Sequence, residues 1–461
     1  MLSFDTVWKN SYGNPREEDP LWKVKKLRVL HFHAESPDVW LGKWVVLEQG
    51  PGVHFSPRAE PKTAPMEFLP DRERNLTLPS SKHPNPMKAE NLLTRGLAWS
   101  TLVILGWVLA MFNAAADGAN ERDVWRRQMM PIVPREYLCR YTGSPLQIDG
   151  ILDEAAWATA PWTSDFVDIQ GATKAAPPLR TRAKVLWDKD YLYIAAELAE
   201  PHVWATVTKH DAVIFQDPDF EIFIDPDGDT HNYYEFEINA LNTSWDLLLD
   251  KPYQDKGKAH NEWEISGLKS AVHVQGTLND PSDVDEGWTV EIAFPWKVLA
   301  EYARHAGAPV EREQWRIDFS RVEWQVRIKG NKYEKVPNRA EDNWVWSPQG
   351  VIDMHRPEMW GLLQFTRQEA SDLPAVAPLP AKPARDLALE IYYAQRDFWK
   401  SHSRWAASLA ELGLGGAQLP PGVALPTLEL SPGGYTCAVG FKNDQGQHIW
   451  RIRQDRLLRL D

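Results

Sequence analysis

Between residues 146 and 365, apolar and polar positions alternate in short runs set apart by turn residues. In FEIFIDPDGDTHNYYEFEIN (220–239), Phe220, Ile222, Ile224, Tyr234, Phe236 and Ile238 share one face, while Glu221, Glu235 and Glu237 share the other. This is the pattern of two strands joined by a tight turn. VLWDKDYLYIAAEL (185–198), WTVEIAFPW (288–296) and WRIDFSRVEW (315–324) repeat the alternation, with β-branched and aromatic residues on the apolar side. The regular spacing predicts a mainly β fold: an antiparallel β-sandwich of immunoglobulin-like or jelly-roll-like kind. Helix is expected only in short pieces near 154–157 and 296–302.

In an antiparallel pair, Glu221 falls opposite or diagonal to Glu235 and Glu237, an arrangement that like-charge repulsion disfavours. A cation or a hydroxyl-rich ligand is expected there, and Arg321 is one candidate to neutralise the group.

After this region comes SDLPAVAPLPAKPA (371–384), a proline-alanine linker. Beyond it Leu387, Ile391, Ala394 and Phe398 recur at helical spacing, and YTCAVGF (435–441) and HIWRIRQ (448–454) read as strands. A small α+β domain is expected over 385–461. Its YYAQ and SLAEL runs loosely resemble the periplasmic part of type IV pilin-like proteins.

Ahead of the β region, LAWSTLVILGWVLAMF (97–112) carries no charge, follows Lys88 and Arg95, and precedes Ala114, Ala115 and Ala116. That is the order of a secretory signal peptide, so 87–116 is expected to be a cleaved signal with Met87 as the true start. The other reading is an uncleaved membrane anchor; either way the remainder lies outside the cytoplasm, periplasmic or extracellular. Residues 1–86, proline-studded from 50 onward, are then a mispredicted or disordered extension.

A net charge of −13 argues against nucleic acid or anionic lipid as the main partner. Twenty-three tryptophans supply both core filler and flat stacking surface, and regular strand positions assign Trp187, Trp288, Trp315 and Trp360 to the core. Cys139 and Cys437 lack metal-site or redox spacing; each is a free thiol or the two form one long-range disulfide.

LQIDGILDEAAW (146–157), AKVLWDKDYLYIAAEL, DFEIFIDPDGDTHNYYEFEINALN, GWTVEIAFPW, WRIDFSRVEW and HRPEMWGLLQF (355–365) follow one another in an order that resembles the family 9 carbohydrate-binding modules. The domain is expected over 135–370. The resemblance implies a sandwich that binds sugar, often with calcium, and an association with polysaccharide breakdown; a poly- or oligosaccharide is the expected partner.

In that family two aromatic residues clamp a sugar ring. The first position falls on Phe215, and Glu221 matches the acidic residue that hydrogen-bonds hydroxyls. The second falls near Met354, which is not aromatic, so Trp344 or Trp346 is expected to supply the missing face. Glu237 and Arg321 complete the polar rim.

Asp225, Asp227 and Asp229 have the acidic spacing of a calcium loop without the glycine and glutamate of an EF-hand, so they read as a hairpin turn or a calcium site. Met354-His355, with His231 or His202 as second ligand, would be needed for the rival reading, a b-type haem electron-transfer domain. A glycoside hydrolase using Glu221 and Glu237 is a third reading. The expected function is non-catalytic carbohydrate binding.

Overall fold

A computed structural model describes residues 27–33, 40–48, 53–54, 120–368, 375–443 and 446–461. The apolar run at 97–112 and Met87 lie outside these, and among the described residues no helix is long and apolar enough to cross a membrane. The chain divides into two units, 1–91 and 92–461. In the first, β1 (Leu27–His33), β2 (Trp40–Glu48) and β3 (Val53–His54) form a small antiparallel sheet.

The second unit is built on one large sheet. Its strands are β4 (Glu136–Tyr141), β5 (Val167–Asp168), β6 (Thr181–Trp187), β7 (Tyr191–Ala199), β8 (Asp219–Asp225), β9 (Tyr233–Asn239) and β10 (Ser244–Leu249). These are followed by β11 (Ala259–His260), β12 (Lys269–Gln275), β13 (Gly287–Pro295), β14 (Gln314–Glu323), β17 (Asp342–Val345) and β18 (Gly361–Thr366). A separate two-stranded ribbon, β15 (Val326–Ile328) with β16 (Tyr333–Lys335), sits between β14 and β17 in sequence. Hydrogen bonding runs without a break in the order β11-β10-β9-β8-β14-β18-β4-β6-β7-β13-β12, with β17 and β5 branching from β14.

The fold is mainly β, as the alternation predicts, but it is a single curled mixed sheet. β4 pairs parallel to both β18 and β6, which joins the two halves edge to edge. Alternation reports which face a residue takes and is blind to strand direction, and for that reason the sequence suggested two antiparallel layers. The curl wraps one shared core. Ile222, Ile224, Phe236 and Phe319 come from one half, and Val185, Ile194, Val290 and Ile292 from the other. Trp187, Trp296, Trp315 and Phe365 make edge-to-face contacts at its centre. Cys139 and Cys437 are both free and buried.

The tail has a helix at Lys382–His402 and a four-stranded sheet of β19 (Thr427–Ser431), β20 (Gly434–Asn443), β21 (Gly446–Arg453) and β22 (Leu458–Leu460), of which the pattern predicts the helix, β20 and β21. It does not stand alone. Its apolar cluster takes in Trp125 and Met129, from ahead of the large sheet, and Met359, from the loop before β18. The helix is buried beyond the stripe of Leu387, Ile391, Ala394 and Phe398, because Arg385, Tyr392 and Tyr393 on its other side face the β domain.

That second side holds a buried ionic network. Arg456 reaches both oxygens of Glu358 at 3.1 Å, Asp255 at 3.1 Å and the side-chain Oε1 of Gln254 at 3.1 Å. The Tyr393 hydroxyl donates to Glu358 at 2.5 Å, and Tyr392 donates to Asp255. Arg396 links Asp255 to Glu121. Burial alone would raise the Glu358 carboxyl, but Arg456 and Arg356 hold it below its ordinary value.

Candidate functional site

The glutamates of the opening stretch form the wall of a cavity of about 300 Å³ on the outer face of β8, β9 and β10. The strand register makes this unavoidable. Glu221 stands directly across from Glu237, and Glu235 is paired with Phe223, one step along the same face. Trp245 and Leu247 on β10 continue the rows beside Glu237 and Glu235. The inner face of the same strands is committed to the core, so the three carboxyls have only this side to occupy.

All three glutamates are nearly closed off from solvent. Glu237 accepts a hydrogen bond from the backbone N–H of Phe215 at 3.0 Å. Among the described residues no Lys or Arg forms an ion pair with any of them, and the cavity wall adds two more acids, Glu341 and Asp353. Burial pushes the Glu221 carboxyl up to about 7. Glu235 and Glu237 are also raised well above the ordinary carboxylate value, by burial and then by the neighbouring acids. Without a cation, burial therefore favours the protonated form of each, and a protonated carboxyl can both donate to and accept from hydroxyl groups.

Phe215, Glu221, Glu237, Met354 and His355 all line this one cavity. Phe215 sits half-buried on a single turn of 3-10 helix, Ile214–Gln216, whose placement is fixed by its N–H to Glu237 and by its carbonyl, which accepts from Trp324 Nε1 at 2.9 Å. Met354 is buried in a small cluster with Trp360 and offers no flat face. His355 is neutral, since burial pushes its imidazole down to about 4, and its Nδ1 meets the Tyr233 hydroxyl at 2.9 Å.

Arg321, Trp344 and Trp346 lie elsewhere. Ser320 is the residue paired with Glu221, so Arg321, one position on, leaves the sheet on the opposite face. There its guanidinium is fully buried against Glu200 and Glu323, both at 2.6 Å, and it does not neutralise the glutamate row. Trp344 pairs with Arg321 in register and therefore shares that face; Trp344 and Trp346 are both core residues. The second aromatic surface in the cavity is Tyr253, on the 3-10 turn Tyr253–Asp255 after β10, with its ring 4.5 Å from that of His355. Sequence reasoning missed it because it lies in a loop outside the matched motifs; the only cue is an aromatic directly after a proline. Trp245 also lines the cavity, and its indole N–H is buried without a partner.

The turn carboxylates Asp225, Asp227 and Asp229 do come together. Their oxygens, however, are engaged: Asp225 accepts from the N–H groups of Gly228 and Thr230 at 2.9 Å, Asp227 from Asp229 at 3.2 Å, and Asp229 from Arg459 at 2.9 Å. These bonds form an acidic hairpin capped by an arginine, and one oxygen of each aspartate still lies within 4.8 Å of the other two. His231 Nε2 faces the Asp455 carbonyl at 2.7 Å, and the His202 ring packs on Tyr333, so neither shares the cavity with Met354 and His355.

Residues 148–313 match the family described as carbohydrate family 9 binding domain-like, and the chain carries a domain of that family in its centre. The curated relatives include exoglucanase XynX of Acetivibrio thermocellus, 26% identical over 188 residues, and endo-1,4-beta-xylanase A of Thermotoga maritima, 26% identical over 162 residues. These alignments take in 39% and 34% of this chain but only 14% and 12% of those enzymes. Among solved structures, a family 9 module from Caldicellulosiruptor kristjanssonii in complex with cellotriose aligns over 53% of this chain and all of its own, at 15% identity and a TM-score of 0.34. A putative carbohydrate-binding protein from Bacteroides uniformis aligns over 50% of this chain and all of its own, at 16% identity and a TM-score of 0.37.

Proposed function

We propose that the central domain binds an oligo- or polysaccharide in the Glu221–Glu235–Glu237 cavity, without catalysis, as a module of an exported protein tied to polysaccharide breakdown. The observation that supports this best is the lining itself: aromatic side chains, Phe215 and Tyr253 among them, beside three carboxyls that have few partners of their own. A sugar ring offers a C–H face to an aromatic surface and hydroxyls around its edge, and such a wall meets both needs. Carboxyl oxygens accept from sugar hydroxyls, and a protonated carboxyl can donate to them as well. The family match and the enzymes that share this segment favour the same reading. Export rests on the apolar run at 97–112.

Hydrolysis is less favoured. A glycosidase sets an acid and a base on either side of the bond, with environments that push their pKa values apart. Glu221 and Glu237 stand side by side on adjacent strands, with carboxyl oxygens within 4.8 Å, and burial raises both.

The test is calorimetric titration of the purified protein with oligosaccharides from cellulose, xylan and mannan. Saturable binding to one series, weakened at least tenfold by Phe215→Ala and by Tyr253→Ala, is the expected result. A folded protein that gives no heat with any series would sink the reading.

A further inference from the structure

A further acid adjoins the glutamate row. Asp219 precedes Glu221 by two residues on β8, so its side chain leaves the sheet on the same face. It is completely buried; Oδ1 accepts from the Val322 N–H at 3.1 Å, and Oδ2 has no hydrogen-bond partner. An acceptor closed off in this way carries the full cost of its lost hydration, the more so when charged. Its closest company makes matters worse, since Glu221 and Glu237 are acids too.

One oxygen from each of Asp219, Glu221 and Glu237 lies within 4.8 Å of the other two. Three points so placed share a centre no more than about 2.8 Å from each, near the typical calcium–oxygen length of about 2.3–2.6 Å. Among the described residues none of the three forms an ion pair. The cation that acts on Asp219 through space is Lys335, and its ammonium is held 3.3 Å from the centre of the Trp324 ring. Three carboxylates and no nitrogen or sulfur donor suit a hard divalent cation.

We propose that Asp219, Glu221 and Glu237 hold one calcium-class divalent cation at the floor of the cavity, and that its remaining coordination positions take hydroxyl groups of the bound saccharide. The metal site stands on the geometry alone; its role in recognition rests on the carbohydrate reading. Calcium takes about six to eight oxygens, and three carboxylates supply roughly half of them. Neighbouring hydroxyls of a sugar can fill positions on the cavity side. The cation offsets the repulsion along the glutamate row and gives Asp219 Oδ2 the partner it lacks.

Two titrations of the full-length protein test this. In the first, chelator-treated protein is titrated with calcium chloride. We expect one calcium per chain, at least tenfold weaker uptake in Asp219→Asn, and unchanged uptake in Asp227→Asn, which alters the hairpin turn instead. Wild-type protein that takes up no calcium overturns the site, whatever the variants do; so does uptake that Asp227→Asn abolishes and Asp219→Asn leaves intact. In the second, oligosaccharide is titrated with calcium and then with EDTA, and affinity is expected to fall at least tenfold on chelation. Equal binding in both removes the cation from recognition while the carbohydrate reading stands. Calcium uptake with no saccharide bound under either condition does the reverse.

Discussion

Glu358 and Glu237 are both shut away from water, yet they live in opposite surroundings. Glu358 meets Arg456 through both of its oxygens and receives the Tyr393 hydroxyl, and its carboxyl is held below the ordinary value. Glu237 meets two more glutamates and a single backbone N–H, and its carboxyl is pushed far above it. The first group is finished within the chain and fastens the tail to the β domain. The second is unfinished, and an acidic group left incomplete in a cavity is where an outside partner belongs. Burial alone separates nothing here; the count of internal partners does.

The largest effect should come from breaking the finished side. Arg456→Leu takes from Glu358 the cation that meets both its oxygens and leaves Asp255 with Arg396 alone, and is expected to cost about 3–5 kcal/mol, read from denaturant midpoints. A loss below about 1 kcal/mol would mean that the network is not what fastens the tail. On the unfinished side, in chelator-treated protein, Glu237→Gln should leave stability unchanged or slightly raised, because one buried acid facing other acids is gone. It should also weaken saccharide binding by about tenfold, or about 1.4 kcal/mol.

The two sides should also respond to pH with opposite signs. Glu221 is raised from 4.5 to about 7, so in metal-free protein its contribution to stability is full below 4.5 and is lost as pH rises toward 7. Asp219, Glu235 and Glu237, which face it, act in the same sense. Glu121, held down to about 2 by Arg396 and Lys400 against the effect of burial, contributes above 4.5 and loses that contribution as pH falls toward 2. Chelated protein should therefore be most stable in mildly acidic solution, with a decline on the order of 2 kcal/mol toward neutrality. A melting temperature that climbs steadily from pH 5 to pH 8 would contradict this. The smallest change is expected from Arg459→Ala. It removes an arginine with a largely exposed side chain from Asp229 and should cost about 0.5 kcal/mol, with no effect on saccharide binding.

The sequence made the face assignments legible and the register illegible. Period-two alternation placed Glu221, Glu235 and Glu237 together and sent Phe220, Ile222 and Phe236 to the core, as the structure has them. Arg321 could not be placed the same way. Whether it or Ser320 stands beside Glu221 depends on a one-residue offset between strands about a hundred positions apart, and no local pattern records that offset. Trp344 and Trp346 followed the same error, because their face is inherited from Arg321. Tyr253 and Asp353 come from loops, where no periodicity exists to read. Asp219 was overlooked for a different reason: it fits the alternation, but its unpartnered oxygen shows only in three dimensions.

The parallel seating of β4 also bears on how this chain is made. Its two neighbours in the sheet are β6, some forty residues later, and β18, more than two hundred residues later. Until β18 has been synthesised, one edge of β4 is open; at about 5–20 residues per second that leaves it uncovered for roughly 10–45 s. A strand edge waiting that long is an invitation to pair with a neighbouring nascent chain. The halves of the sheet are thus stitched last along the seam that joins the beginning of the domain to its end, and a chain cut short before β18 would present that seam ready to aggregate.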